Sequence, residues 1–254
     1  MNTPRFFSPQ PLSAGACVDL SESAARHAAR VLRMREGDSL TLFDGAGGES
    51  AARIVRVGRD TVAVEVMEWN DVECESPIDI TLVQALQSGE KMDLTVQKAV
   101  ELGVRRIVPV TSRRSVVRLE GERAERRVAH WRAVAASACE QCGRNRVPEV
   151  SELQSLRQWL AQPACGETVI RLLLDPRSTN TLDRLPCPTA DTRIELLIGA
   201  EGGLSPEEMD QAFQAGFAGV RLGPRVLRTE TAGLAALAAI QCLWGDFRGE
   251  AGHV

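Results

Sequence analysis

Short alternating segments dominate the N-terminal part of the chain. Apolar and β-branched residues alternate with polar ones, and Gly- and Asp-containing turns separate the segments, which is typical of antiparallel hairpins. A short helix is predicted over 21–35, with Ser21 as its N-cap. Short, closely spaced strands with one helix predict a small β-barrel domain over residues 1–70. The predicted strands are 39–43, 51–57 and 61–69.

The pattern changes after a polar, acidic stretch, 71–77, which ends in Pro and is the predicted linker. From residue 78, uninterrupted apolar strands alternate with helical segments, which predicts an α/β domain over 78–254 with a parallel sheet covered on both faces. The predicted strands are 78–86, 105–110, 168–174, 193–199 and 219–223. The predicted helices are 91–103, 121–142, 151–161, 205–216 and 230–245.

Composition narrows the class of protein. The 254 residues are 44% hydrophobic and 25% charged, which excludes a disordered, collagen-like or coiled-coil chain. No run approaches the roughly 18 apolar residues of a membrane helix, and the start MNTPRFFSPQ does not resemble a signal peptide. Seven scattered cysteines indicate reduced thiols. We therefore expect a cytoplasmic protein without a membrane partner.

Cysteine and histidine offer little catalytic chemistry. Cys139 and Cys142 form a CxxC pair, but no second pair and no suitably spaced His accompany them, so no metal site is predicted. A redox pair would open a helix, whereas this pair closes one, so two small packed residues are the simpler interpretation. The three histidines, His27, His130 and His253, lie in helical patterns or the tail, and a hydrolase triad is not expected.

Three loops that follow predicted strands of the second domain are the candidate binding elements: 174–177, 198–203 and 222–229. In an open α/β sheet, ligands bind at the carboxyl ends of the strands, so the loops could form one pocket. The alternative is that they are ordinary turns between strands and helices. Neither GxGxxG at the first strand nor GxxxxGK[ST] is present, which disfavours NAD and ATP.

The residues of two of these loops resemble a known class. The runs 198–205 (IGAEGGLS) and 222–232 (LGPRVLRTETA) are similar to those of SPOUT RNA methyltransferases, and most similar to the family (RsmE) that methylates N3 of a uridine in 16S ribosomal RNA. The resemblance covers nearly the whole chain. One departure is Ala200, where the family usually has Pro, a change worth about 1 kcal/mol or less in backbone freedom. Further matching segments are 30–34, 42–45, 89–92, 97–98, 101–103 and 139–148.

The resemblance implies a trefoil knot in the C-terminal domain, a PUA-like barrel before it, S-adenosylmethionine as cofactor, and a homodimer. For the chemistry of that reaction, our hypothesis is that Arg225 or Arg228 stabilises negative charge on the base, and that Glu201 either accepts the N3 proton or holds its loop. The implied cofactor-binding residues are Leu174, Ile198, Gly199, Glu201, Gly202, Gly203, Leu222, Gly223, Val226, Leu227, Arg228 and Thr229.

Charge distribution supports an RNA partner, either 16S ribosomal RNA or the small ribosomal subunit. Eleven Arg and four Glu between Arg105 and Arg146 give +7, so the remainder carries −11 to reach the total of −4. Arg suits phosphate because its planar fork binds two oxygens. The alternative is a solvated helix face, but several of these arginines lie in or beside loops, where we expect them to have no close acid. The predicted RNA-contacting residues are Arg5, Arg30, Arg33, Arg113, Arg114, Arg118, Arg144 and Arg146.

Three other functions stay open from the sequence. Another SPOUT enzyme would modify a 2′-hydroxyl or a tRNA base. A non-catalytic RNA-binding or ribosome-assembly protein would use the barrel and the basic surface without a cofactor. A redox protein would use Cys139 and Cys142.

Overall fold

The computed structural model describes residues 3–163, 168–189 and 191–248. The chain divides into two compact units. One holds the residues up to Glu75 together with Ala136–Val147, and the other holds Ser76–Ala135 and the residues from Pro148 onward. The units differ from the predicted domains because 136–147 groups with the N-terminal unit rather than with the α/β unit.

The N-terminal unit is built on a five-stranded sheet and a short α-helix. The elements are β1 (Arg5–Phe7), β2 (Cys17–Asp19), α1 (Glu22–Arg26), β3 (Ser39–Phe43), β4 (Glu49–Val57) and β5 (Val62–Asn70). The strand order is β1-β3-β4-β5-β2. The predicted hairpins are confirmed, since β3–β4 and β4–β5 are antiparallel, as is β2–β5. The pattern missed β1 and β2, which are three residues each, and β1 pairs with β3 in parallel.

Alternation decides which face of this sheet is buried. In β4, Ser50, Ala52 and Ile54 are buried while the residues between them are exposed, as the two-residue period of a strand requires. Ser21 caps α1 as predicted, accepting a hydrogen bond from the backbone N–H of Ala24 (3.3 Å). The helix predicted over 21–35 is shorter: α1 passes into a π-helical turn at His27–Val31, and Arg33 has a φ of +55°, which ends helical geometry.

The second unit contains a parallel sheet. Its strands are β6 (Asp79–Ala85), β7 (Arg106–Thr111), β8 (Glu149–Val150), β9 (Gln154–Ser155), β10 (Thr168–Leu174), β11 (Thr192–Ile198) and β12 (Ala218–Val220). The strand order is β12-β10-β11-β6-β7-β8, and β9 also pairs with β7. All of these pairings are parallel, which confirms the predicted α/β class. Its helices are α2 (Lys91–Glu101), α3 (Gly121–Cys142, whose last residues belong to the N-terminal unit), α4 (Leu156–Leu160), α5 (Pro206–Gln214) and α6 (Thr229–Trp244).

The central strands of this sheet are buried along nearly their whole length. The buried residues include Ile80, Leu82 and Val83 of β6 and Leu196 and Leu197 of β11, in agreement with the uninterrupted apolar runs. The helix predicted over 151–161 is confined to α4, because residues 154–155 pair with β7 and the side chain of Ser155 caps the helix there. Within the described residues, no helix is both long and apolar enough to cross a membrane.

Candidate functional site

A cavity of about 580 Å³ lies at the carboxyl edge of the parallel sheet. The ends of β10, β11 and β12 open onto it, and the three predicted loops line it together, so the prediction that they meet is confirmed. Of the predicted cofactor-binding residues, only Gly202 is absent from the lining. Instead, the carbonyl oxygen of Gly202 accepts a hydrogen bond from Nη1 of Arg114 (2.9 Å), and Arg114 itself lines the cavity.

The loop after β11 folds back on itself tightly. The N–H of Gly203 donates to the carbonyl of Ala200 (2.8 Å), and Gly203 adopts a φ of +70°, which favours glycine. A Cβ on Gly199 would lie 3.2 Å from the backbone of Gly203 and Leu204, so this turn leaves little space for a side chain. The loop ends at Ser205, which forms the predicted capping box with Glu208 at the start of α5.

Glu201 is fixed by Ser88, which lies between β6 and α2, and by Lys91 at the start of α2. Its Oε1 accepts hydrogen bonds from the backbone N–H (3.1 Å) and hydroxyl (2.9 Å) of Ser88 and lies 3.4 Å from Nζ of Lys91. Partial burial raises the pKa of Glu201, but the hydrogen bonds from Ser88 and Lys91 outweigh it and leave that pKa below its usual range. This geometry favours the loop-holding interpretation of Glu201 over proton acceptance.

A buried polar chain joins the same loop to α6. The hydroxyl of Thr229 donates to the carbonyl of Gly199 (2.6 Å), and Nε2 of Gln84 donates to the Thr229 hydroxyl (3.2 Å). Gln84 is fully buried and Thr229 nearly so. These bonds fix the start of α6 relative to β6 and β11, and therefore fix one wall of the cavity.

The third loop presents the two predicted catalytic arginines. Arg225 and Arg228 are exposed and line the cavity, and Arg228 occupies the N-cap position of α6 without a capping side-chain bond. Val226 is 79% exposed, an unusual position for an apolar side chain.

The cavity is lined by more cations than carboxylates, which suits a negative ligand. The charged lining residues are Lys91, Arg114, Arg177, Arg221, Arg225 and Arg228 against Asp175, Glu201 and Glu230.

Sequence reasoning did not single out Lys91 and Glu230, although both line the cavity. The Nζ of Lys91 lies 3.6 Å from Oε1 of Glu230, and the same ammonium contacts Glu201. The sequence contained a signal for each residue. Lys91 begins the helix that follows the first strand of the sheet. Glu230 directly follows Thr229, the last of the implied cofactor-binding residues.

The predicted RNA-contacting arginines separate into two groups. Arg5 and Arg144 are largely buried and engaged: Arg5 bonds Glu49 and Oδ1 of Asn145 (2.6 Å), and Arg144 bonds Glu75 (2.6 Å). The expectation that the loop arginines lack a nearby acid was wrong for three of them, Arg113, Arg144 and Arg146, because folding brings acids distant in sequence beside them. The exposed group is Arg30 (paired with Asp60), Arg33, Arg113 (paired with Glu207), Arg114, Arg118 and Arg146 (paired with Glu73).

The cysteine pair is not disposed for redox chemistry. Cys139 is buried, and burial raises the pKa of its thiol to about 12, outweighing the opposing effect of the Arg144 guanidinium. Cys139 and Cys142 are not joined by a disulfide. Over the ranges that the structure describes, no group of three His, Cys, Asp or Glu could hold a metal ion. His130 bonds Asp93 (2.8 Å), and His253 lies outside the described residues.

Comparison with known proteins gives two family matches and several close relatives. Residues 74–241 match the RNA methyltransferase domain, and residues 20–67 match the RNA methyltransferase PUA domain. The chain is 33% identical to Ribosomal RNA small subunit methyltransferase E of Buchnera aphidicola, over 96% of this chain and 97% of that protein. It is 29% identical to the protein of the same name from Bacillus subtilis, over 95% and 96%. The crystal structure of that enzyme from Neisseria gonorrhoeae, bound to S-adenosyl methionine, is 42% identical, with a TM-score of 0.88 and coverage of 97% and 100%.

Proposed function

Since this chain belongs to the RNA methyltransferase family of Ribosomal RNA small subunit methyltransferase E, we propose that it transfers a methyl group from S-adenosylmethionine to N3 of a uridine in 16S ribosomal RNA. The family resemblance drawn from the loop motifs is thereby confirmed, and so is the PUA-like N-terminal domain.

One observation carries the proposal: the motif-bearing loops surround one cavity at the carboxyl edge of the sheet. Its volume of about 580 Å³ suits a cofactor of this size. Leucine and isoleucine side chains of β10, β11 and the third loop would cover the adenine ring. Gly199 and Gly203 line the cavity, so loops 198–203 and 222–229 would hold the cofactor by backbone hydrogen bonds.

When bound, S-adenosylmethionine supplies a methyl carbon made electrophilic by its sulfonium. The chain's own residues then have three tasks: to align the base with that carbon, to exclude water, and to stabilise the charge that develops on the uracil oxygens as the N3 proton leaves. We assign the third task to Arg228 and Arg225, which line the cavity. Glu201 contributes by holding loop 198–203 against Ser88 and Lys91.

RNA contact is proposed for the exposed arginines. Arg113, Arg114 and Arg118 follow β7 in the C-terminal unit, and Arg30, Arg33 and Arg146 belong to the N-terminal unit. N3 lies on the pairing edge of uridine, so the target base must be unpaired or drawn out of its helix before it can react.

Three further properties belong to the same proposal: a trefoil knot in the C-terminal unit, a homodimer and a cytoplasmic location. The knot and the dimer rest on the family resemblance, and the location rests on the scattered cysteines of the sequence. Light scattering at several protein concentrations tests the dimer, because a monomer mass throughout would remove it.

The decisive experiment is nucleoside mass analysis of RNA treated with the protein and methyl-labelled cofactor, with free 16S RNA and isolated small subunits compared. We expect labelled 3-methyluridine. A labelled 2′-O-methyl nucleoside or another base would indicate a different SPOUT activity. Failure of calorimetry to detect S-adenosylmethionine binding, together with retained RNA affinity, would favour the non-catalytic RNA-binding alternative.

A further inference from the structure

Glu230, the second residue of α6, carries a buried oxygen without a hydrogen bond. Its side chain is 14% exposed and lines the cavity, and Oε2 has no partner among the described residues. A buried carboxylate oxygen without a donor is unusual, because such groups lose hydration without compensation. This oxygen has almost no accessible surface, so a turn of the carboxylate toward the cavity would present it to a donor that arrives with a ligand.

The rest of Glu230 is held in place. Its Oε1 lies 3.6 Å from Nζ of Lys91. Its backbone N–H lies 3.1 Å from the amide oxygen of Gln87, in the amide orientation that satisfies both ends of that side chain. The preceding residue, Thr229, is fixed by Gly199 and Gln84. One carboxylate oxygen is thus committed to Lys91 while the other stays open.

The other two carboxylates of the cavity are less suited to accept a proton. Asp175 bonds the guanidinium of Arg177 through both oxygens (3.1 and 3.4 Å). Glu201 is held by Ser88 and Lys91. Lys91, with its ammonium between two carboxylates, has donors but no acceptor. Glu230 is therefore the carboxylate of the cavity that retains a buried, unused acceptor.

We propose that Glu230 is the general base that takes the N3 proton of the target uridine, an inference that rests on the proposed function. The N3–H bond breaks and its proton goes to Oε2 of Glu230. The electron pair left on N3 forms the bond to the methyl carbon, and the bond from that carbon to the donor sulfur breaks with its pair on sulfur. Lys91 stays beside Oε1, and Arg228 and Arg114 are cations that line the same cavity.

The same geometry discriminates between pyrimidines. Uridine presents an N–H at N3, which an open carboxylate oxygen accepts, whereas cytidine presents a lone pair there, which the carboxylate repels. A site whose buried acceptor takes a hydrogen bond from the substrate strongly rejects analogues that lack that donor. Glu230 therefore also selects uridine over cytidine.

The test is single-turnover methylation of 16S RNA by wild type, E230Q and E152Q over a range of pH, with calorimetry of S-adenosylmethionine binding. Glu152 is an exposed residue of the same unit that pairs with Arg132, so E152Q controls for loss of a carboxylate. E230Q should bind the cofactor within about three-fold of wild type and methylate about 100-fold more slowly or worse, as loss of a general base predicts. Its rate should rise with pH more steeply than that of wild type.

A second substrate separates a base from a structural residue. RNA transcribed with 5-fluorouridine has a more acidic N3–H, so it should accelerate E230Q about ten-fold more than it accelerates wild type. Equal acceleration of both, or E230Q activity within about three-fold of wild type, would overturn the role of Glu230. If E230Q does not fold, E230D, whose carboxylate is one methylene shorter, takes its place with the same expected excess acceleration. If wild type makes no 3-methyluridine at all, the proposed function fails instead.

Discussion

The guanidinium of Arg144 and the carboxylate of Glu75 form an ion pair inside the N-terminal unit, with Nη2 and Oε2 2.6 Å apart and 4% of the Arg144 side chain exposed. Removing one partner of such a pair leaves a buried charge uncompensated. We expect R144A and E75Q each to lower the free energy of unfolding by about 3–5 kcal/mol, measured by urea denaturation. The control is E22Q, which breaks the exposed pair of Glu22 with Arg26 and should change stability by less than about 0.5 kcal/mol. A purely RNA-contacting Arg144 would leave unfolding unchanged on substitution.

Arg228 should matter for turnover more than for binding. A positioned cation that stabilises charge developing in the transition state contributes about 100- to 1,000-fold to the rate. R228A should therefore lose activity by that factor while the Kd for RNA changes little. R157A, at an exposed arginine of α4 outside the cavity, is the matched control. Full turnover by R228A with normal RNA affinity would refute the electrostatic role.

Two glycines allow backbone strain to be separated from ligand contact. Gly203 (φ +70°) and Gly216 (φ +88°) both have left-handed geometry and open space where a Cβ would lie, but only Gly203 lines the cavity. G203A and G216A should each destabilise the fold by about 1–2 kcal/mol. Only G203A should also weaken S-adenosylmethionine binding in calorimetry. Equal affinities for the two variants would show that loop 198–203 does not contact the cofactor.

The contribution of the Glu201 hydrogen bonds to stability should depend on pH. Its folded-state pKa is lowered, so its contribution to stability is fully present above the usual value of about 4.3 and is lost as the pH falls through the lower folded-state value. At pH 7, we expect E201Q to be less stable than wild type by about 1 kcal/mol. The gap should shrink as unfolding is measured at pH values from 5 down to 3. A gap that stays constant over this interval would indicate that the carboxylate charge is not what holds the loop.

The cysteine pair should prove chemically inert. With its pKa near 12, the buried Cys139 thiol stays protonated at pH 8 and should alkylate far more slowly than the exposed Cys17, Cys74, Cys187 and Cys242. Mass analysis of iodoacetamide-treated protein gives the order of labelling. Methylation by C139S/C142S should match wild type in rate per folded molecule. The redox hypothesis would be supported if C139S/C142S were inactive, and if an oxidant restored activity to wild type but not to the double variant.

Elements with a long, regular pattern were predictable from the sequence. The helix over 121–142 and the strand over 168–174 have the predicted bounds, because each has a sustained period or an uninterrupted apolar run. Three-residue strands such as β1 and β2 leave too few positions for a period to show. The parallel partner of β1 is distant in sequence, and no local turn signal announces it.

The loops that form the candidate site were predictable from the sequence, but the side-chain contacts were not. Motif positions placed loops 174–177, 198–203 and 222–229 at one edge, since parallel strands share an edge for their carboxyl ends. The partner of Arg144 was not predictable, because Glu75 lies 69 residues away and only tertiary folding brings it near. The contact between Lys91 and Glu230 was not predictable for the same reason.

The grouping of residues 136–147 with the N-terminal unit has a consequence for synthesis on the ribosome. Asn145 supports Arg5 and the backbone of Val72, and Arg144 neutralises Glu75, so the first 75 residues lack these partners when they leave the exit tunnel. The unit can close only after residues 76–135 have also been translated. The comparison is between a nascent chain arrested near residue 75 and one arrested far enough beyond residue 147 for that residue to have left the exit tunnel. The shorter chain should be more sensitive to protease.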